Sequence, residues 1–158
     1  MAVRAVTFAS HDCDAFVEEV KARGAAYFAD RGLSNKGNAG MVVKTIMMVS
    51  GLVVPYALIM SNQLPGWAMM LGCVVLVVAL AGIGFSVSHD ALHGAYSSNP
   101  KINAAIGFSF DLVGANGYMW KITHNVIHHT YTNIHGVDED LEVSPLLRLS
   151  PLAKHYPW

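Results

Sequence analysis

Two apolar stretches joined by a six-residue turn constrain this chain more than anything else in it. The first covers residues 41–60, with Lys44 near its start and Pro55 inside; the second covers 67–88 and contains no charge at all. At 1.5 Å per helical residue, each has about the 20 residues needed to cross a hydrocarbon core. The turn Ser61-Asn62-Gln63-Leu64-Pro65-Gly66 is short and uncharged, so the pair reads as a hairpin that enters and leaves on one side. Lys44 can snorkel to a headgroup, Trp67 stands where an interfacial aromatic belongs, and Pro55 is tolerated where neighbouring helices re-satisfy the backbone.

The charge inventory agrees. Apolar residues make up 53% of the 158 and charged residues only 13%, about half of what an ordinary globular domain carries. A small soluble domain needs charge on its large wet surface; a chain facing lipid does not. The predicted fold class is therefore all-α: an integral-membrane helical protein with one transmembrane hairpin plus cytosolic or interfacial helices. Net charge is −1 and there is no long basic run, which excludes an electrostatic nucleic-acid binder.

Lys36 and Lys44 precede the hairpin, and Lys101 and Lys121 follow it. The positive-inside rule then places the N-terminus and everything after Ser88 in the cytoplasm. Residues 1–40 form a first unit. Within it, 12–32 carry Phe16, Val17, Val20, Tyr27 and Phe28 at amphipathic-helix spacing, with Asp12 or Asp14 as N-cap and Gly32 near the stop. Residues 33–40 are a polar linker, and no basic region leads straight into an apolar stretch as in a signal peptide. Residues 102–120 are apolar but interrupted by Asp111, Gly114, Asn116 and Gly117, which predicts an interfacial or re-entrant segment. The tail from Asp138 is acidic, then punctuated by Pro145, Pro151 and Pro157, and reads as loop and short helix. Cys13 and Cys73 show neither a disulfide framework nor zinc spacing.

Chemistry concentrates in the histidines. His89 and His93 follow the second span directly, four apart and so on one helix face. His124, His128 and His129 form a second group, with His129 about 100° round an α-helix from His128. Neutral imidazole suits iron, zinc, copper and nickel, and its second nitrogen wants an outer partner. Asp90, Asn125, Asp138, Asp140 and Glu142 are near enough in sequence to supply such partners. Five imidazoles exceed the three or four ligands of a single zinc site, so two metals are expected, with iron the natural choice at a membrane face. A lone histidine at a membrane boundary is usually only an interfacial polar group, which is the reading for His11, His135 and His155. For the five together that reading fails, because polar side chains near hydrocarbon are costly. The first pair also lacks the adjacent glutamate of a zinc protease.

The runs HDALHGAYS and WKITHNVIHHTYTNIHGVDEDLE resemble the first two histidine boxes of the membrane fatty acid desaturase family, over roughly residues 65–158. The resemblance implies a four-span helical enzyme whose cytosolic cap holds two irons on histidines of three boxes. Carried over, the ligands are His89 and His93 from the first box and His124, His128 and His129 from the second. The three-residue spacing of the first box is more like acyl-lipid and front-end desaturases than the animal stearoyl-CoA type. The run from Tyr131 to Asp140 is similar to bacterial linoleoyl-CoA or Δ6-type members. No third box or second hairpin lies within these residues, so 41–158 reads as an incomplete desaturase domain whose missing ligands come from elsewhere. No fused heme-binding motif is present either, which implies a separate electron donor of ferredoxin or cytochrome b5 type.

The resemblance implies oxygen-dependent removal of two hydrogens from adjacent methylenes of a fatty acyl-CoA or acyl-lipid substrate, with O2 as co-substrate. A related alkane or carotenoid hydroxylase shares this ligand pattern, and a heme- or metal-binding membrane carrier is the non-enzymatic alternative. A carrier would place charges inside its spans, and the second span has none.

Overall fold

The structure is a computed structural model in which residues 6–7, 13–141, 148 and 151–152 are described. Every regular element among them is helical. The chain divides into two compact units, Met1–Asn35 and Lys36–Trp158.

The first unit holds α1, Cys13–Asp30. Its start puts Asp14 inside the first turn and not at the cap; Asp12 and His11 lie outside the described residues. Lys21–Glu18 and Arg23–Glu19 pairs at 3.0 and 2.6 Å line its surface. Such exposed pairs one turn apart add only a few tenths of a kcal/mol each. The amphipathic set Phe16, Val17, Val20, Tyr27 and Phe28 is exposed within this unit.

In the second unit the hairpin forms as expected. Helix α2 is Ala39–Met60, and α3 runs Gly66–Leu92. Asn38 caps α2 by accepting from the Met41 N–H at 3.2 Å, which satisfies one of the orphan donors at a helix start. Pro55 sits inside α2, so the Gly51 carbonyl four residues earlier loses its N–H partner. Gly51 also faces α3: a Cβ there would lie 3.2 Å from that of Ala79. Small residues at this crossing let the backbones approach, the usual device for packing helices in lipid.

Helix α3 exceeds the predicted span and carries the first histidine box as its last turn. Its 27 residues give about 40 Å, of which a hydrocarbon core takes about 30 Å. A stretch of core length counted from Gly66 would therefore end before His89. The buried apolar residues Ala79, Ile83, Val87 and Ala91 form one stripe along α3. A four-residue step drifts about 40° in an α-helix. The segment Ile83–Ser88 is π-helical, and its wider i→i+5 turns take up part of that drift, keeping the stripe on one side down to the box. After His93 the chain turns at Gly94, φ +70°, a left-handed conformation that favours glycine. The Ala95 N–H reaches Asp90 O at 2.8 Å and the Gly94 N–H reaches Ala91 O at 2.9 Å, closing the helix end.

The interrupted stretch 102–120 breaks where its polar residues predict. Helices α4, Pro100–Gly107, and α5, Ser109–Leu112, are each too short to cross a bilayer. Asp111 accepts the Gly117 N–H at 3.1 Å and Asn116 that of Met119 at 2.9 Å. Helix α6 then covers residues 117–131: Gly117–Trp120, a π-helical Lys121–His128, and His129–Tyr131. In the acidic tail Glu139–Leu141 is a 3-10 turn. Glu142, Pro145, His155 and Pro157 lie outside the described residues.

Candidate metal centre

The ends of α3 and α6 bring all five box histidines into one cluster. Within the first box the His89 and His93 rings are 4.4 Å apart. Across the boxes His124 is 5.4 Å from both, and His93 is 5.0 Å from His129. The ligand atoms of His89, His93 and His124 all lie within 4.8 Å of one another, as do those of His124, His128 and Asp140. These are two candidate metal groups sharing His124. His129 belongs to neither at that distance, yet its ring is 5.2 Å from His124 and 5.4 Å from His128. His135 is exposed in the turn after α6 and outside both groups.

The second box departs from α-helical geometry. An α-helix would put His129 about 100° from His128. Instead the His129 N–H is bonded to His124 O, the i→i+5 link of a π turn. That link stacks residue i+5, as well as i+4, over residue i, so all three rings meet on one side. The first box is reached through the same device, since the His89 N–H is bonded to Gly84 O.

Carboxylates hold the outer nitrogens. His128 Nδ1 is 2.9 Å from Asp138 Oδ1, and His124 Nδ1 is 2.7 Å from Asp140 Oδ2. Asp138 is buried. Burial alone would push its carboxyl up, but the His128 hydrogen bond and the Asn133 and Asp140 N–H groups outweigh it and hold the pKa below the ordinary value. An ionised Asp138 can only accept, so the proton sits on His128 Nδ1 and the Nε2 lone pair is free to ligate. Asp140 faces His124 Nδ1 from the corresponding outer position. Two ligands of one metal at about 2.1 Å stand roughly 3 Å apart; a 2.7 Å contact is a charge-assisted hydrogen bond. Asp140 is thus an outer partner and not itself a ligand in this arrangement. His93 has its pKa lowered to about 4, by burial first and then by His89, His129 and His124. It is neutral at physiological pH, the state a ligand needs.

Removing Asp138 isolates its role. Asp138→Ala is expected to weaken metal binding about 10–100-fold, the usual effect of losing an outer carboxylate, measured by competition with a chromophoric chelator. A loss below about threefold would show that Asp138 does not support His128.

Sequence reasoning placed Asp90, Asp138 and Asp140 near the histidines, and each has a box histidine as partner. Asn125 plays another part: its Nδ2 donates to Leu92 O at 3.2 Å and ties the second box to the end of the first. Trp120 was missed. It stacks on His124 at 4.4 Å and 19°, and lies 5.4 and 5.3 Å from His89 and His93. Only its position four residues before His124 could have flagged it.

A family model described as fatty acid desaturase matches residues 65–158. The chain belongs to the fatty acid desaturase family. It is 42% identical to the sn-1 linoleoyl-lipid 6-desaturase of Synechocystis sp. over 82% of its length and 36% of the relative's. The enzyme of that name from Arthrospira platensis is 36% identical over 90% of this chain and 39% of its own. The acyl-lipid (7-3)-desaturase of Diacronema lutheri is 34% identical over 78% of this chain and 28% of its own. The chain thus spans under two fifths of the length of these relatives. No solved structure matches it. The family assignment agrees with the helical architecture of the described residues, the two long apolar helices and the histidine groups that could hold metal.

Proposed function

We propose that this chain supplies the hairpin and first two histidine boxes of a Δ6-like acyl-lipid desaturase, with His89, His93, His124, His128 and His129 as ligands of two irons. The observation that carries the reading is the convergence of all five imidazoles, with carboxylates behind His124 and His128. The donor set fits: neutral imidazoles with fixed outer nitrogens suit iron. Two irons with O2 would supply the oxidising power to remove hydrogens from an unactivated methylene pair. The protein's own task is to hold the imidazoles in register, exclude water and present an acyl chain at the membrane face.

Residues 1–40 form a cytosolic segment and linker ahead of the domain at 41–158, and the histidine boxes face the cytoplasm, where a ferredoxin or cytochrome b5 type donor delivers electrons. Lys36→Cys and Lys101→Cys should both label from the cytoplasmic face; labelling from opposite faces would refute the hairpin. The substrate class is tested by expressing the full-length protein in a host rich in linoleoyl lipids that lacks a Δ6 desaturase. A new double bond in the acyl chains of membrane lipids is expected. Hydroxylated acyl chains in its place would overturn the desaturase reading in favour of a hydroxylase.

A further inference from the structure

We propose that Lys44 is a positioning residue for the metal centre, acting on His89 through Asp90. From the sequence alone Lys44 is a cation that snorkels from a membrane-spanning helix. The structure gives it a defined partner. Its Nζ lies 3.2 Å from Asp90 Oδ2, while the other oxygen, Asp90 Oδ1, lies 3.3 Å from His89 Nδ1. One carboxylate is thus divided between a lysine of α2 and a histidine of the first box.

The comparison with Asp138 shows why the lysine is needed. Asp138 is fixed by backbone: the Asn133 N–H donates to Oδ2 at 2.7 Å and the Asp140 N–H to Oδ1 at 3.1 Å. Its orientation toward His128 follows from the turn itself. Asp90 stands on the outer side of the last turn of α3, and among the described residues no backbone N–H holds its carboxylate. Lys44 does for Asp90 what those two amides do for Asp138. Without it, the Asp90 side chain is free to rotate toward water or headgroups, and His89 loses its outer partner.

Neighbouring contacts fix Lys44 opposite the box. The Gly37 N–H donates to Ala95 O at 3.0 Å, and Lys36 Nζ reaches Gly94 O at 3.0 Å. Thr45 Oγ1 and Tyr96 Oη are 2.8 Å apart. The start of α2 is therefore docked on the segment that closes α3. The Lys44 and Asp90 side chains are 34% and 29% exposed, shielded enough for the pair to be directional.

This inference rests on the metal-binding reading of the cluster, and the test separates the two. Full-length protein in nanodiscs is titrated anaerobically with Co(II), whose visible bands report both affinity and ligand geometry. Wild type is compared with Lys44→Met, Lys44→Arg and the exposed Lys101→Met, with circular dichroism to confirm folding. Lys44→Met should weaken binding at least about 10-fold and shift the visible bands. Lys44→Arg should restore both, and Lys101→Met should match wild type. Wild-type binding with an unaltered Lys44→Met would overturn the positioning role alone. So would a Lys44→Met defect that Lys44→Arg does not rescue, which marks a general packing role. Failure of wild type to bind Co(II) would overturn the metal centre and this inference with it.

Discussion

His93→Ala and His128→Ala should each abolish double-bond formation in the full-length protein, whereas His135→Ala should leave it largely intact. The reason is geometric. His93 contacts His89, His124 and His129, so its loss opens a gap at the middle of the cluster. His128 has its Nδ1 fixed by Asp138 at 2.9 Å, and its removal also leaves a buried carboxylate without its imidazole. Losing an outer partner costs about 10–100-fold; losing a ligand should take activity below about one hundredth of wild type. Unsaturated lipid is measured by gas chromatography of extracts from cells matched for protein. Activity near wild type in either variant would refute the ligand assignment, and an inactive His135→Ala would show that the site extends beyond the two boxes.

Residues 1–158 expressed alone should make no unsaturated lipid and hold little iron. On the proposed two-iron reading, five imidazoles fill fewer positions than two six-coordinate irons offer, and further protein ligands would come from other residues. The relatives leave room for them, since the chain spans 36% and 39% of the two linoleoyl-lipid desaturases. The hairpin should still enter the membrane, because each helix satisfies nearly all of its own backbone hydrogen bonds, the Gly51 carbonyl ahead of Pro55 excepted. Fractionation should find the chain in membranes while lipid analysis finds no new double bonds. New double bonds with no complementary chain present would contradict the account of this stretch as part of a larger site.

How much of this was legible in the sequence depends on range. Both long apolar helices could be read from runs of about 20 largely apolar residues, because backbone bonding within lipid leaves a helix as the only open-ended choice. The break at 108–116 was signalled by Asp111, Gly114 and Asn116, polar or flexible residues that now cap and turn the chain. The pairs His89–His93 and His124–His128 were legible because i, i+4 spacing is itself the geometry that brings two side chains together. What stayed hidden depends on departures from that period or on partners far along the chain. A π turn has no side-chain signature at 100° per residue, so the approach of His129 to His124 and His128 could not be read from their spacing. Lys44 and Asp90 are 46 residues apart, and only the docking of α2 against the end of α3 pairs them. Asp14 was a plausible cap by type, but α1 begins at Cys13, and cap positions are the least certain part of any helix reading.

The central claim is that these histidines build a two-iron centre, and metal analysis of purified full-length protein tests it most directly. Inductively coupled plasma measurement, normalised to protein by amino-acid analysis, should give about two irons per chain, with zinc a minor fraction. His124→Ala should remove most of that iron, because His124 stands against both histidines of the first box and against His128 and His129. A stoichiometry of one zinc per chain, with iron at background, would contradict the account.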